Sequence, residues 1–272
     1  MRLTASTRLV DNMCPSFTDE LSIMKEFGFE GVDQDIDFKL SERVGGNWQE
    51  RVERVAMLSE DINMPIVQTH LPYNYVHGWG PQAPDEEALR QAILATEMLN
   101  SKYAVFHAVS PEKREDGLAR TYEFYMPYVE FAYKHNVEML IEIMPDYCNY
   151  PRTAEELCQA ADKMGIGVCW DFGHPNVNKY KKNGDQRDEL RLIGQRLKAL
   201  HVNDNGGGKV DEHLPPYLGS VDWDTHIPVL KEIGYKGDFN YEVLQRRIPN
   251  ELLPNVAKYL IETGRRLMNM CR

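Results

Sequence analysis

A carboxylate and an imidazole stand close together in residues 167–176, which read GVCWDFGHPN. An apolar run leads to Asp171, and His174 follows three residues later. A buried strand of this kind places a carboxylate at its tip and an imidazole on the loop above it, a pair that can bind a metal ion or move a proton. An Asp in this position is also common as a helix N-cap or turn residue. The segment alone therefore indicates a candidate site without deciding between these roles.

The same arrangement recurs along the chain, and the recurrence favours the chemical role. Other apolar segments end in His70, His107, Glu142, His201 and Glu242. In a barrel of parallel strands, side chains at the carboxyl ends of the strands meet at one mouth. These residues are therefore predicted to converge.

Two of the carboxylates lie between large apolar residues, Glu142 in LIEIM and Glu242 in NYEVL. Burying a carboxylate without a partner costs several kcal/mol. A buried Lys or Arg is one solution, but the two predicted strands carry no cation near these positions. A divalent cation is the more economical partner for several carboxylates that face each other.

Four of the candidates form a coherent ligand set, because Glu142, Asp171, His201 and Glu242 come from four consecutive predicted strands. His201 by itself could be a hydrogen-bonded core histidine. Together the three carboxylates and one imidazole form a mixed oxygen and nitrogen shell that suits Mn, Mg, Co or Zn, with positions left for a substrate.

Further side chains are candidates for additional metal or substrate contacts. His70 in THLPY and His107 in VFHAV could also be core histidines, and His174 follows Asp171. Asp211 and His213 lie after a run of three glycines, where the alternative is a solvated acidic loop.

Two candidates for substrate binding lie in predicted loops. Arg246 follows the last predicted strand beside Arg247, where barrels often bind phosphate, although both could be ordinary surface cations. Trp79 in HGWGP could cover a substrate or could simply pack.

Apolar periodicity predicts alternating strands and helices, and hence a parallel α/β fold. Strands are predicted at residues 2–6, 31–36, 66–70, 103–107, 137–143, 167–171, 197–202 and 237–243. Helices are predicted at residues 18–27, 47–62, 85–99, 118–135, 154–164, 188–196, 223–233 and 250–268. Eight such units predict a single (β/α)8 TIM barrel over residues 1–272.

Composition narrows the classes of function. The chain has a net charge of −11 and a pI of about 5.3, which disfavours nucleic acid as a partner. Its five cysteines form no C-x-x-C pair, which predicts reduced thiols in a reducing compartment. No signal-peptide pattern and no apolar run of about 18 residues is present, so we expect a cytoplasmic protein without a membrane span. No P-loop, G-x-G-x-x-G or G-x-S-x-G motif supports a nucleotide cofactor or serine hydrolysis.

The ordered set of motifs resembles the xylose isomerase-like barrel superfamily, which holds sugar (phosphate) isomerases and epimerases together with the endonuclease IV family. The strings that carry the resemblance are THLPY, VFHA, IEIMP, WDFGH, LHVNDNGGGKVDEHLPPYLGSVDW and YEV. The resemblance implies that one divalent metal is held by the Glu, Asp, His and Glu of strands five to eight. In this sequence those residues are Glu142, Asp171, His201 and Glu242.

The endonuclease branch of the superfamily uses nine ligands for three zinc ions, and all nine have a counterpart in kind and order. The counterparts are His70, His107, Glu142, Asp171, His174, His201, Asp211, His213 and Glu242. The surroundings differ, because VFHAVS replaces the expected His-Pro-Gly and Glu-His replaces Arg-His in the loop after strand seven.

The resemblance and the residues together predict a metal-dependent isomerase or epimerase of a small sugar or sugar phosphate. Glu142 and Glu242 would transfer a proton on either side of the substrate through an enediolate intermediate, and His174 would orient oxygens. One alternative is an endonuclease IV-like multinuclear zinc phosphodiesterase, and another is a non-catalytic sugar-binding barrel. The oligomeric state stays open, and a homo-oligomer is compatible with the sequence.

Overall fold

The computed structural model describes residues 1–11, 13, 19–36, 47–73, 86–109, 111–177, 185–244 and 248–271. Eight parallel strands form one sheet in the order β7-β6-β5-β4-β3-β2-β1-β8. The strands are β1 Leu3–Ser6, β2 Val32–Asp35, β3 Ile66–His70, β4 Tyr103–Phe106, β5 Glu138–Glu142, β6 Gly167–Asp171, β7 Leu197–His201 and β8 Phe239–Tyr241. A parallel bridge between Val202 and Tyr241 joins β7 to β8 and closes the ring. The predicted (β/α)8 barrel is confirmed.

A helix follows each strand and packs on the outside of the ring. The helices are α1 Asp19–Phe27, α2 Trp48–Asp61, α3 Glu86–Met98, α4 Gly117–Lys134, α5 Ala154–Met164, α6 Gln186–Ile193, α7 Trp223–Glu232 and α8 Leu253–Met270. Pro127 lies inside α4, which continues without a break from Gly117 to Lys134. Among the described residues, no helix is long and apolar enough to cross a membrane.

Local signals explain where individual helices begin and end. The Thr153 hydroxyl accepts a hydrogen bond from the Glu156 backbone amide at 3.3 Å and caps α5. Gly165 ends the same helix at a φ of 69°, a left-handed conformation that glycine adopts without strain.

Two predicted elements were misplaced. The helix predicted at 188–196 begins earlier, because the Asp185 carboxylate accepts a hydrogen bond from the Arg187 amide at 2.9 Å. It ends at Ile193, and a 3-10 turn covers Gly194–Arg196. The last strand is only three residues long, so Glu242 lies just beyond β8 rather than within a strand.

Candidate metal centre

The barrel mouth brings together all nine side chains predicted as ligands. They form three groups, and within each group potential ligand atoms lie within 4.8 Å of one another. The groups are Glu142 with Asp171, His201 and Glu242; His70 with His107 and Glu142; and His174 with Asp211 and His213. Metal binding at these groups remains a prediction, but the convergence on which it depends is present.

The central group is fully buried except for Glu242, which is 5% exposed. His201 Nδ1 lies 2.9 Å from Glu142 Oε1 and 3.2 Å from Glu242 Oε2. Asp171 Oδ2 accepts a hydrogen bond from the side-chain amide of Asn203 at 2.5 Å. Within the described part of the chain, no lysine or arginine lies within ion-pair distance of these three carboxylates, so the alternative of a buried Lys or Arg partner is not supported.

The two flanking groups continue from the central one. Glu142 Oε2 lies 3.0 Å from His107 Nε2 and 3.3 Å from His70 Nε2. Asp211 Oδ2 lies 2.8 Å from His213 Nε2 and 3.3 Å from His174 Nε2. Because Glu142 belongs to two groups, its carboxylate connects the group of His70 and His107 to the central group.

In three histidines of the cluster, the Nδ1 nitrogen is hydrogen-bonded to a backbone carbonyl oxygen. The distances from Nδ1 to the carbonyl oxygen are 2.9 Å for His70, 2.7 Å for His174 and 2.9 Å for His213. A carbonyl oxygen only accepts, so Nδ1 carries a proton in each case. In their neutral forms these rings therefore present the lone pair of Nε2 to the cluster, which is how metal-ligating histidines are usually oriented.

Burial and mutual pairing shift the pKa values of the cluster. Burial by itself would raise the pKa of Glu142, but the neighbouring His201 and His107 lower it well below its usual range. Burial opposes the charge on His70, yet Glu142 raises the pKa of that ring to about 9. Burial raises the pKa of Asp171 to about 7. Burial lowers the pKa of His107 to about 4, so the rings whose raised pKa values favour a balancing proton are His70, His174, His201 and His213. A divalent cation can take over this role because histidines bind metals as neutral rings.

His201 also contacts a buried polar group formed by Asp33, Gln68 and Asn240. The sequence analysis did not identify these three residues. Asp33 Oδ2 lies 3.4 Å from His201 Nε2 and accepts hydrogen bonds from the side-chain amides of Gln68 at 3.1 Å and Asn240 at 3.0 Å. Gln68 and Asn240 each lie two positions before a predicted ligand, so they face the same side of their strands. Polar residues at alternate positions of an apolar strand were the signal that could have identified them.

Replacing Asp33 with asparagine is expected to weaken metal retention about 10- to 100-fold, because partners behind a ligating histidine fix its orientation. Competition with a fluorescent chelator measures this affinity. Asp238→Asn is the control, because Asp238 pairs with Arg2 at 2.7 Å before β8, at the other end of the barrel. Equal metal affinity in Asp33→Asn and in the unaltered chain would show that Asp33 does not position His201.

The loop after β7 is folded around one buried carboxylate. Asp204 accepts hydrogen bonds from the backbone amides of Tyr217 at 3.0 Å, Ser220 at 2.9 Å and Val221 at 3.0 Å. It also accepts one from the indole of Trp223 at 2.8 Å. These bonds fix both ends of the loop that carries Asp211 and His213.

Replacing Asp204 with asparagine is expected to lower the free energy of unfolding by about 3 kcal/mol, because buried N–H donors lose their charged acceptor. Urea unfolding measures the change. Asp222→Asn, at an exposed cap without a side-chain hydrogen bond, should stay within about 0.5 kcal/mol of the unaltered chain. A similar small effect in both variants would mean that Asp204 does not organise the loop.

An open cavity of about 110 Å³ lies over the cluster. Its wall includes Arg8, Tyr73, His174 and Glu242, whereas Glu142 lies beneath it and is fully buried. Of the two glutamates predicted to transfer protons, Glu242 is therefore the one that reaches the cavity.

The two residues predicted to bind substrate, Trp79 and Arg246, lie outside the described residues. Their predicted roles stay untested. Arg8 and Tyr73, which sequence reasoning did not single out, line the cavity instead.

Comparison with known proteins identifies relatives of the whole barrel. The family model described as "Xylose isomerase-like TIM barrel" matches residues 21–263. Among sequence relatives, the uncharacterized protein y4fM of Sinorhizobium fredii is 31% identical over 111 residues, which are 40% of this chain and 34% of that protein. The alignment thus spans about a third of that relative.

Solved structures match over nearly the full length of both chains. A D-psicose 3-epimerase from Clostridium cellulolyticum, solved with D-tagatose, has a TM-score of 0.78 at 13% identity and covers 98% of this chain and 99% of its own. The IOLI protein, solved with a bound zinc atom, has a TM-score of 0.78 at 16% identity and covers 98% of each chain. A D-tagatose 3-epimerase-like protein has a TM-score of 0.74 at 20% identity and covers 99% of this chain and 98% of its own. At these identities the likeness establishes the fold.

Proposed function

Because this chain belongs to the xylose isomerase-like TIM barrel family, we propose that it is a metal-dependent isomerase or epimerase of a small sugar. The observation that carries the proposal is the central group, in which Glu142, Asp171, His201 and Glu242 meet at the floor of an open cavity. The solved epimerases of the same fold support the substrate class by analogy.

The donor set fits a divalent metal. Three carboxylates and one imidazole converge. Glu242 Oε2 is buried and makes no hydrogen bond among the described residues, while His201 Nδ1, 3.2 Å away, is hydrogen-bonded to Glu142 Oε1. A Mn, Co, Zn or Mg ion held by these four residues would act as a Lewis acid on neighbouring carbonyl and hydroxyl oxygens of the sugar.

The residues of the chain then move the proton. Glu242 reaches the cavity, so its carboxylate removes the proton from the carbon beside the carbonyl and leaves an enediolate. Inversion of the carbon needs a proton on the opposite face of the enediolate. Glu142, beneath the cavity, would return it after taking a proton from His70, whose Nε2 lies 3.3 Å from Glu142 Oε2, while Glu242 releases its own proton to solvent. Return of the proton by Glu242 to the neighbouring carbon instead gives an isomer. His174, in the cavity wall, orients the substrate oxygens.

Solvent hydrogen exchange tests the proposal. The manganese-loaded protein is incubated in D2O with D-fructose, D-tagatose, D-allulose and their available phosphates, and deuterium at carbon is followed by NMR. Incorporation at the carbon beside the carbonyl is the expected result. Binding of a sugar without any exchange would favour the non-catalytic alternative.

One observation favours a second candidate, a multinuclear zinc phosphodiesterase. The structure assembles all three groups of potential ligands, and a one-metal isomerase needs only the central group. The net charge of −11 weighs against a nucleic-acid substrate. Metal analysis after purification separates the candidates, because about one exchangeable ion per chain supports the isomerase and three tightly held zinc ions support the phosphodiesterase.

A further inference from the structure

Arg8 places a permanent cation in the wall of the cavity although it belongs to none of the three ligand groups. It lies directly after β1, in the 3-10 turn Thr7–Leu9. Its side chain is 25% exposed and lines the cavity together with His174 and Glu242. The role proposed for the metal cluster does not require an arginine here.

Two side chains, Asp35 and Tyr73, fix the position of the Arg8 guanidinium. Its Nε lies 3.2 Å from Asp35 Oδ2, and its Nη1 donates a hydrogen bond to the Tyr73 hydroxyl at 3.3 Å. The Asp35 amide donates to the Thr7 hydroxyl at 3.3 Å, which ties the end of β2 to the turn that carries Arg8. The position of the guanidinium is therefore built into the barrel mouth.

The Arg8 guanidinium still has N–H donors that a ligand could use. A guanidinium has five N–H groups, and the described residues contact only Nε and Nη1. The Tyr73 ring, 6.0 Å from Arg8 Cζ, lies 4.7 Å from the His107 ring, so one wall runs from Arg8 to the metal ligands. A molecule bound at the cluster can thus extend to Arg8.

The charge around Arg8 favours an uncharged ligand. Asp35, 3.2 Å from Arg8 Nε, already balances the charge of the guanidinium. A phosphate dianion would therefore add uncompensated negative charge at this end, whereas sugar hydroxyls can accept hydrogen bonds from Arg8 without adding charge.

We propose that Arg8 binds the hydroxyl groups at the end of an unphosphorylated sugar, away from the carbons that react. The inference rests on the proposed function and deepens it, because it selects neutral sugars over sugar phosphates. Arg8 is a binding residue here and takes no part in the proton transfer.

The test compares Arg8→Met and Arg8→Lys in the manganese-loaded protein. Titration calorimetry measures binding of D-fructose, D-tagatose, D-allulose and D-fructose 6-phosphate, and exchange kinetics give KM and kcat. Arg2→Met is the matched control, because Arg2 also pairs with an aspartate, at 2.7 Å, but before β1 at the other end of the barrel. Metal content and Tm are recorded for every variant, and Arg8→Lys keeps the charge should Arg8→Met fold poorly.

We expect at least one neutral ketose to bind more tightly than D-fructose 6-phosphate. Its Kd and KM should rise about 10- to 100-fold in Arg8→Met, and less in Arg8→Lys, with unchanged metal content and a smaller change in kcat. Arg2→Met should bind as the unaltered chain does.

Unchanged Kd and KM in both Arg8 variants would overturn the inference and leave the proposed function standing. Tighter binding of D-fructose 6-phosphate than of every neutral ketose would overturn the choice of a neutral sugar, as would no ketose binding at all. Arg8-dependent binding without hydrogen exchange would contradict the proposed function and support the inference.

Discussion

Replacing Glu142 with glutamine is expected to lower kcat for hydrogen exchange by at least about 1,000-fold. The substitution keeps the size of the side chain and removes a charge that two of the three ligand groups share. Glu142 Oε1 faces His201, and Oε2 faces His70 and His107, so an amide cannot offer an acceptor oxygen to both sides. We expect metal content to fall together with kcat.

The fold of this variant should persist, because the barrel is closed by backbone pairing of β7 with β8 and does not depend on the cluster. Circular dichroism and the melting curve check this expectation. Glu138→Gln, at the start of the same strand and 3.9 Å from Lys102, is the control and should retain activity. A Glu142→Gln protein that exchanges hydrogen at the unaltered rate would remove the basis of the proposed mechanism.

Removing bound metal with a chelator is expected to reduce exchange at least about 100-fold, because the carboxylates and histidines by themselves cannot polarise the sugar oxygens as a cation does. Adding Mn, Co, Zn or Mg back should restore activity with at least one of these ions. A ligand at 1,000 times its Kd stabilises the native state by about 4 kcal/mol, so Tm should rise by roughly 10 °C on metal addition.

The variant Glu142→Gln provides the control for metal addition and should show a much smaller rise in Tm. Exchange that survives exhaustive chelation, with metal content verified by mass spectrometry, would be incompatible with a metal-dependent reaction. A rise in Tm of equal size in Glu142→Gln would place the binding ion elsewhere on the protein.

Much of the site was predictable because the carboxyl ends of the strands in a parallel barrel all lie at the same mouth. Asp171, His201 and Glu142 each terminate a short apolar run, so their convergence followed once the alternation of strands and helices was recognised. The nitrogen that each histidine turns toward the cluster was not predictable, because backbone carbonyls brought close by the tertiary fold decide it.

Residues that act as partners of the ligands were harder to predict. Asp33 contacts His201 across 168 positions of sequence, and its role depends on register between strands rather than on any local pattern. Arg8 was missed for a similar reason, since an arginine after a first strand resembles any surface cation until Asp35 and Tyr73 are placed beside it. The short β8 was overestimated because the apolar pattern continues past Tyr241.

Anomalous diffraction at the manganese edge, from crystals soaked in Mn²⁺, tests the metal site most directly. We predict a strong peak about 2.0–2.3 Å from one donor atom each of Glu142, Asp171, His201 and Glu242. Crystals with no such peak at this group, or with a peak only at His174, Asp211 and His213, would contradict the account.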